Sequence, residues 1–131
     1  MEIELARCHL LAGEPQAAIT IAERGLSMLS SEQPLDLARG HCLTAYAEAA
    51  LDNPDAAVRS YAAAMVALER AEPSRHVAAV WRELGDLMVA LERPADAMSA
   101  YRRLAGAAGV PQPSLTLSRV TAAAARQRQL L

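Results

Sequence analysis

ALERPADAMSAY at residues 90–101 repeats ALDNPDAAVRSY at residues 50–61, with alanine, leucine, proline, alanine and tyrosine in the same places. A third copy, LLAGEPQAAITIA at residues 10–22, aligns with AALDNPDAAVRSY and VALERPADAMSAY and puts Pro15, Pro54 and Pro94 at spacings of 39 and 40 residues. A period between about 20 and 50 residues is the mark of a repeat array, in which no unit can bury its own apolar face and each leans on its neighbours.

Each unit reads as two helices. In the third, Trp81, Leu84, Gly85, Leu87, Met88 and Leu91 recur at steps of three and four residues, the period of a helix with one buried face. ERP then interrupts, and Ala97, Met98, Tyr101 and Leu104 resume the period. Proline fits the first turn of the second helix, where its missing N–H would find no intrahelical partner and its φ is already helical. Asn53 before Pro54 is a natural N-cap.

Small residues recur where the two helices must approach: Ala6 with Ala18, Ala45 with Ala57, Gly85 with Ala97. Tyr61 and Tyr101 share a register that Ala22 occupies in the first unit. The pattern predicts helices over 2–13, 15–29, 35–51, 54–71, 75–91, 94–107 and 114–129.

Composition agrees with an all-α chain. Thirty of the 131 residues are alanine, the best intrinsic helix former, and there is no phenylalanine. All thirteen basic residues are arginine, as in chains from GC-rich bacterial genomes. Residues 1–110 hold ten arginines against fifteen acids, a net of −5, so the body is a poor match for a phosphate backbone. Arg119, Arg126 and Arg128 near the C-terminus face no acid in 111–131 and leave direct nucleic-acid binding as a rival reading. Cys8 and Cys42 make no CxxC pair and no secretory leader opens the chain, which implies a cytoplasmic protein with reduced thiols. No uncharged stretch is apolar enough to span a bilayer.

Catalysis finds no foothold. There is no phosphate loop, GxSxG, HExxH or lysine, so no enzymatic activity and no cofactor are expected. Cys8-His9 and His41-Cys42 suggest a metal site, but Cys8 falls late in its helix and Cys42 early in its own, a separation of about 7–8 Å along the helix axes at about 1.5 Å of rise per residue. Tetrahedral zinc needs all its ligand atoms within about 2.3 Å. Packed, reduced cysteines are the expectation.

Trp81, Leu84, Gly85 and Met88, followed by Ala97 and Tyr101, resemble the tetratricopeptide repeat, whose pattern is Trp-x-x-Leu-Gly-x-x-Tyr, then Ala-x-x-x-Phe, then Pro. The third unit departs only in Met88 and in a late proline, Pro111. The second has His41, Thr44 and Glu48 in the Trp, Leu and Tyr places, and the first keeps Leu5, Ala6 and Ala18. The likeness covers about residues 2–110 with a period longer than the family's usual 34. It implies a right-handed α-solenoid of three helical hairpins, at about 2–34, 35–73 and 74–110, with 111–131 as linker and C-terminal capping helix. In that helix Leu115, Leu117, Val120, Ala123 and Ala124 would cover the third unit. In style, AVWRELGDLMVALERPADAMSAYRRLAGAAGV at 79–110 also resembles the C-terminal region of actinobacterial transcription regulators with an N-terminal helix-turn-helix of the Xre type.

These resemblances imply a protein-interaction module that senses or dimerises, with DNA contacted only through a domain not in this chain. A freestanding scaffold without a transcription role is the alternative. The first unit has almost nothing before Glu2 to cover Ile3, Leu5, Leu10 and Leu11, so either a preceding segment or a second copy, forming a homodimer through this unit, is expected there. The first helices of successive units are expected to line a concave groove presenting Arg7 and Leu11; Arg39, Cys42, Tyr46 and Ala49; and Arg82, Asp86 and Val89. Three guanidinium groups around a tyrosine suit a peptide or protein ligand with an acidic side chain or a free C-terminus, because guanidinium bonds carboxylate through two parallel N–H groups.

Overall fold

A computed structural model describes residues 2–108 and the single residue Ala125. The described residues form six helices and no strand: α1 (Glu2–Leu11), α2 (Pro15–Ser27), α3 (Pro34–Ala50), α4 (Pro54–Arg70), α5 (Arg75–Ala90) and α6 (Pro94–Ala107). The helix expected over 114–129 lies outside the described residues apart from Ala125.

Consecutive helices pack as pairs, α1 with α2, α3 with α4 and α5 with α6. Pro15, Pro54 and Pro94 each stand at the start of the second helix of a pair, as the repeat predicts. The turn before them is built the same way three times. Gly13, Asp52 and Glu92, equivalent in register, all take left-handed backbone with φ of 82°, 60° and 58°. Beside them the N–H groups of Glu14, Asn53 and Arg93 each donate 2.9 Å to the carbonyls of His9, Glu48 and Met88. This is a Schellman stop, which closes a helix by satisfying its last carbonyls. Only one of the three turns uses glycine, so the fixed length to the proline rather than glycine's freedom is what the copies share. Asn53 adds the expected cap, its Oδ1 accepting from the Ala56 N–H at 3.4 Å.

Within each pair the small residues meet as expected: Ala6, Ala18, Ala45, Ala57, Gly85 and Ala97 are all buried. Gly85 is needed for the third pair, because a Cβ there would lie 2.5 Å from Cε1 of the Tyr101 ring. Trp81, Leu84, Leu87 and Met88 are buried along α5 as its period predicts, and Leu91 is half-buried. Met98 is a correction: it is 59% exposed, and Ala100 takes the buried place because the inward face of α6 turns through Ala97, Ala100 and Leu104.

Successive pairs also touch. First helices meet in a row, α1 with α3 and α3 with α5, and α2 lies close along α3. One core cluster joins the second and third pairs through Tyr61, Leu68, Val77, Trp81, Leu84 and Met88. A smaller cluster of Ala6, Ala22 and Leu43 joins the first and second. Leu5 and Leu11 remain 45% and 80% exposed, while Ile3 and Leu10 are half-buried against that smaller cluster.

Candidate interaction surface

The first helices bring Arg7, Tyr46, Glu83 and Asp86 into one polar seam, with Cys42 buried in the core beside it. Arg7 in α1 reaches over α3 to Glu83 in α5, its Nη2 donating to both carboxylate oxygens at 3.1 and 3.2 Å. The Tyr46 hydroxyl donates to the main-chain carbonyl of Glu83. Tyr101 in α6 donates its hydroxyl to Asp86 Oδ1 at 2.5 Å. The seam therefore runs from the first pair to the last, with Arg7, Tyr46 and Tyr101 each donating within it.

Electrostatics follow from this packing. Burial acts against the Arg7 charge, but the bond to Glu83 and its field outweigh that and raise the guanidinium pKa. Burial, helped by the Glu83 charge, pushes the Cys42 thiol far above its ordinary range. Burial likewise pushes the Tyr46 phenol up, with Cys42, Glu83 and Asp86 adding to the effect. A thiol held protonated is a poor nucleophile and a poor metal ligand. Among the described residues no group of three or more His, Cys, Asp or Glu side chains is arranged to hold a metal. Cys8 is exposed and Cys42 buried, both as free thiols.

Of the residues expected to line a common groove, Arg7, Tyr46 and Asp86 meet in the seam with Cys42 buried beside them; Leu11 is exposed, and Ala49 packs partly buried against the main core. Cys42 is only 2% exposed, a correction to its placement on an open face; it belongs to the core between the second and third pairs. Arg39 lies 3.7 Å from Asp36 on its own helix. Val89 stands 56% exposed. Arg82 lines a separate groove of about 330 Å³ with Arg75, Ala78, Ala79, Leu104 and Ala107. A second groove, of about 420 Å³, runs beside Trp81 and Arg103. Arg103 sits over the Trp81 ring at 5.5 Å and reaches Glu69 of α4 at 2.5 Å, so its charge is already met.

Register explains the difference. Arg7, Tyr46 and Asp86 are equivalent positions, as are Cys42 and Arg82, which stand 40 residues apart. In the second pair these positions face the next pair. In the third pair, the last among the described residues, Arg82 lines the groove beside Arg75 and Leu104, and Asp86 accepts from Tyr101 of the same pair. Sequence reasoning missed Glu83, whose main chain and side chain anchor the seam, and Arg75 and Leu104, which complete the end groove. Carrying the 40-residue shift from Leu35 and Ala64 of the second unit to the third would have found the last two.

Comparison of the chain with protein-family models, with curated proteins and with solved structures found no match.

Proposed function

We propose that the chain is a non-enzymatic protein-interaction module, an α-solenoid of three hairpins of tetratricopeptide type. We further propose that it serves as the sensing or dimerising part of a bacterial helix-turn-helix transcription regulator in the cytoplasm. The observation that carries the module reading is the threefold recurrence of one turn, left-handed residue and then proline, with the first helices of successive pairs in contact. Units that repeat both their internal turn and their neighbour contact build an extended surface from successive pairs, and arrays of this kind bind partners on such surfaces. The regulator role rests on the resemblance of residues 79–110 in style alone.

A ligand carboxylate directed at Arg7 would have to displace Glu83, so the seam acts as a strut in this reading and binding is assigned elsewhere on the surface. Mass spectrometry of what co-purifies with the natural protein, followed by titration of the identified partner, tests the module. Saturable binding of one partner supports it. A monomer that retains no partner sinks it. The regulator reading has its own test: chromatin immunoprecipitation of the natural protein should enrich discrete promoter sites, and uniform background would remove that role while leaving the module.

A further inference from the structure

We propose that the groove between α5 and α6 docks an acidic amphipathic helix of a partner protein, seated where the next unit of the array would lie. The inference rests on the interaction-module reading and names its surface and the partner's chemistry.

The groove is the register equivalent of a junction already filled elsewhere in the chain. Shifting by 40 residues, Ala38, Ala64 and Leu68 of the second pair become Ala78, Leu104 and Ala108 of the third. The first three are buried in the core that the second pair shares with α5 and α6. The last three line the groove of about 330 Å³. A floor that is apolar in both places is shaped for a helix in both places.

Two positions change, and they state the chemistry. Leu35 packs on the filled junction and Cys42 lies inside it; their equivalents at the open groove are Arg75 and Arg82. Neither arginine makes an ion pair or a hydrogen bond among the described residues, whereas Arg7, Arg24, Arg39, Arg93 and Arg103 each meet a carboxylate. Replacing two apolar contacts by two unmet guanidinium groups would penalise a permanent apolar cover. It favours a cover that brings carboxylates. Seven residues apart on one helix, Arg75 and Arg82 stand about 10 Å apart along the axis, which two acids seven residues apart on the docked helix would match. Residues 109–131 of this chain carry three arginines and no acid, so charge complementarity points to a partner and away from the chain's own C-terminal segment.

The probe is a synthetic helical peptide with an alanine–leucine stripe and two glutamates seven residues apart, titrated into the full chain by fluorescence anisotropy. Saturable binding is expected, weakened at least about tenfold by Arg75→Ala with Arg82→Ala and lost with Leu104→Asp. The same peptide carrying lysines should not bind. The two arginines are exposed, so unchanged circular dichroism will separate a lost contact from a lost fold. Equal binding of both peptides, or indifference to the arginine substitutions, overturns the proposal. So does tighter binding in full-length Leu117→Asp with Val120→Asp, which would make the chain's own segment the occupant. A dimer in sedimentation equilibrium that Leu104→Asp dissolves would make the occupant a second copy and overturn it as well. If an identified natural partner stays bound to the arginine variant, this face falls while the module reading stands.

Discussion

The two junctions between helix pairs are filled by opposite means. At the first, α2 lies close along α3, and the approach depends on Gly40: a Cβ there would fall 2.5 Å from Leu26 Cδ2 and 3.0 Å from Ile3 Cδ1. Few large side chains fit, and the buried cluster is Ala6, Ala22 and Leu43. At the second, α4 and α5 do not approach as closely, and large side chains occupy the space. Trp81 is 3% exposed there, under Arg103, and the Tyr61 hydroxyl donates 2.9 Å to the Asp96 carbonyl of α6. His41 holds at the first junction the register that Trp81 holds at the second. One repeat thus tolerates two helix spacings, because side-chain volumes at the facing register positions, Gly40 and His41 against Val80 and Trp81, set how far apart neighbouring helices settle.

The largest expected effect tests the wide junction. Trp81→Ala should cost about 3–5 kcal/mol, read from the urea midpoint by circular dichroism, since it empties the centre of the main core. A loss below about 1 kcal/mol would show that this spacing does not depend on the indole. Gly40→Val tests the close junction and should cost about 1–3 kcal/mol by overpacking against Leu26 and Ile3. Hydrogen exchange in that variant should accelerate in α1 and α2 and leave α5 and α6 unchanged, because the two junctions are filled separately. A double-mutant cycle on Arg7 and Glu83 should return about 0.5 kcal/mol of coupling, both side chains being about a third or more exposed at 40% and 32%.

The smallest effect is a pH dependence confined to the close junction. Burial lowers the pKa of His41 below its ordinary value. The unfolded chain therefore binds its proton first as pH falls, so the stabilising effect of neutral His41 is complete above about pH 6.5 and declines below it. Amides of α1 and α2, corrected for intrinsic rates, should lose protection at pH 5 relative to pH 7, and His41→Gln should flatten that difference. Equal loss of protection in α5 and α6 would argue against a local origin.

Much of this architecture was legible in local signals. Pro15, Pro54 and Pro94, the alanines facing one another across each pair, and the face of α5 all follow from constraints that act within one or two turns. Partners from one helix pair to the next were not legible. Helical periodicity says which residues share a face; it does not say which neighbour that face meets. α3 shows the reason, since it is packed on several sides and buries Ala38, Gly40, Cys42, Leu43, Thr44, Ala45 and Ala47 without a single apolar stripe. Arg7 and Cys42 could thus be assigned to one common face, yet Arg7 meets Glu83 and Cys42 enters the core. Met98 was misread because an apolar side chain on a short helix carries no information about orientation when alanine can fill the inward place.

The bond between Arg7 and Glu83 has a kinetic meaning. Its partners are 76 residues apart, so in a disordered chain bringing them together means closing a long loop for one modest contact. With both junctions assembled, α3 holds the two ends at the right distance and the bond forms at little further entropic cost. Loop-closure entropy therefore predicts that it forms in the last stage of assembly. Weakening it should quicken unfolding and leave the refolding rate nearly untouched.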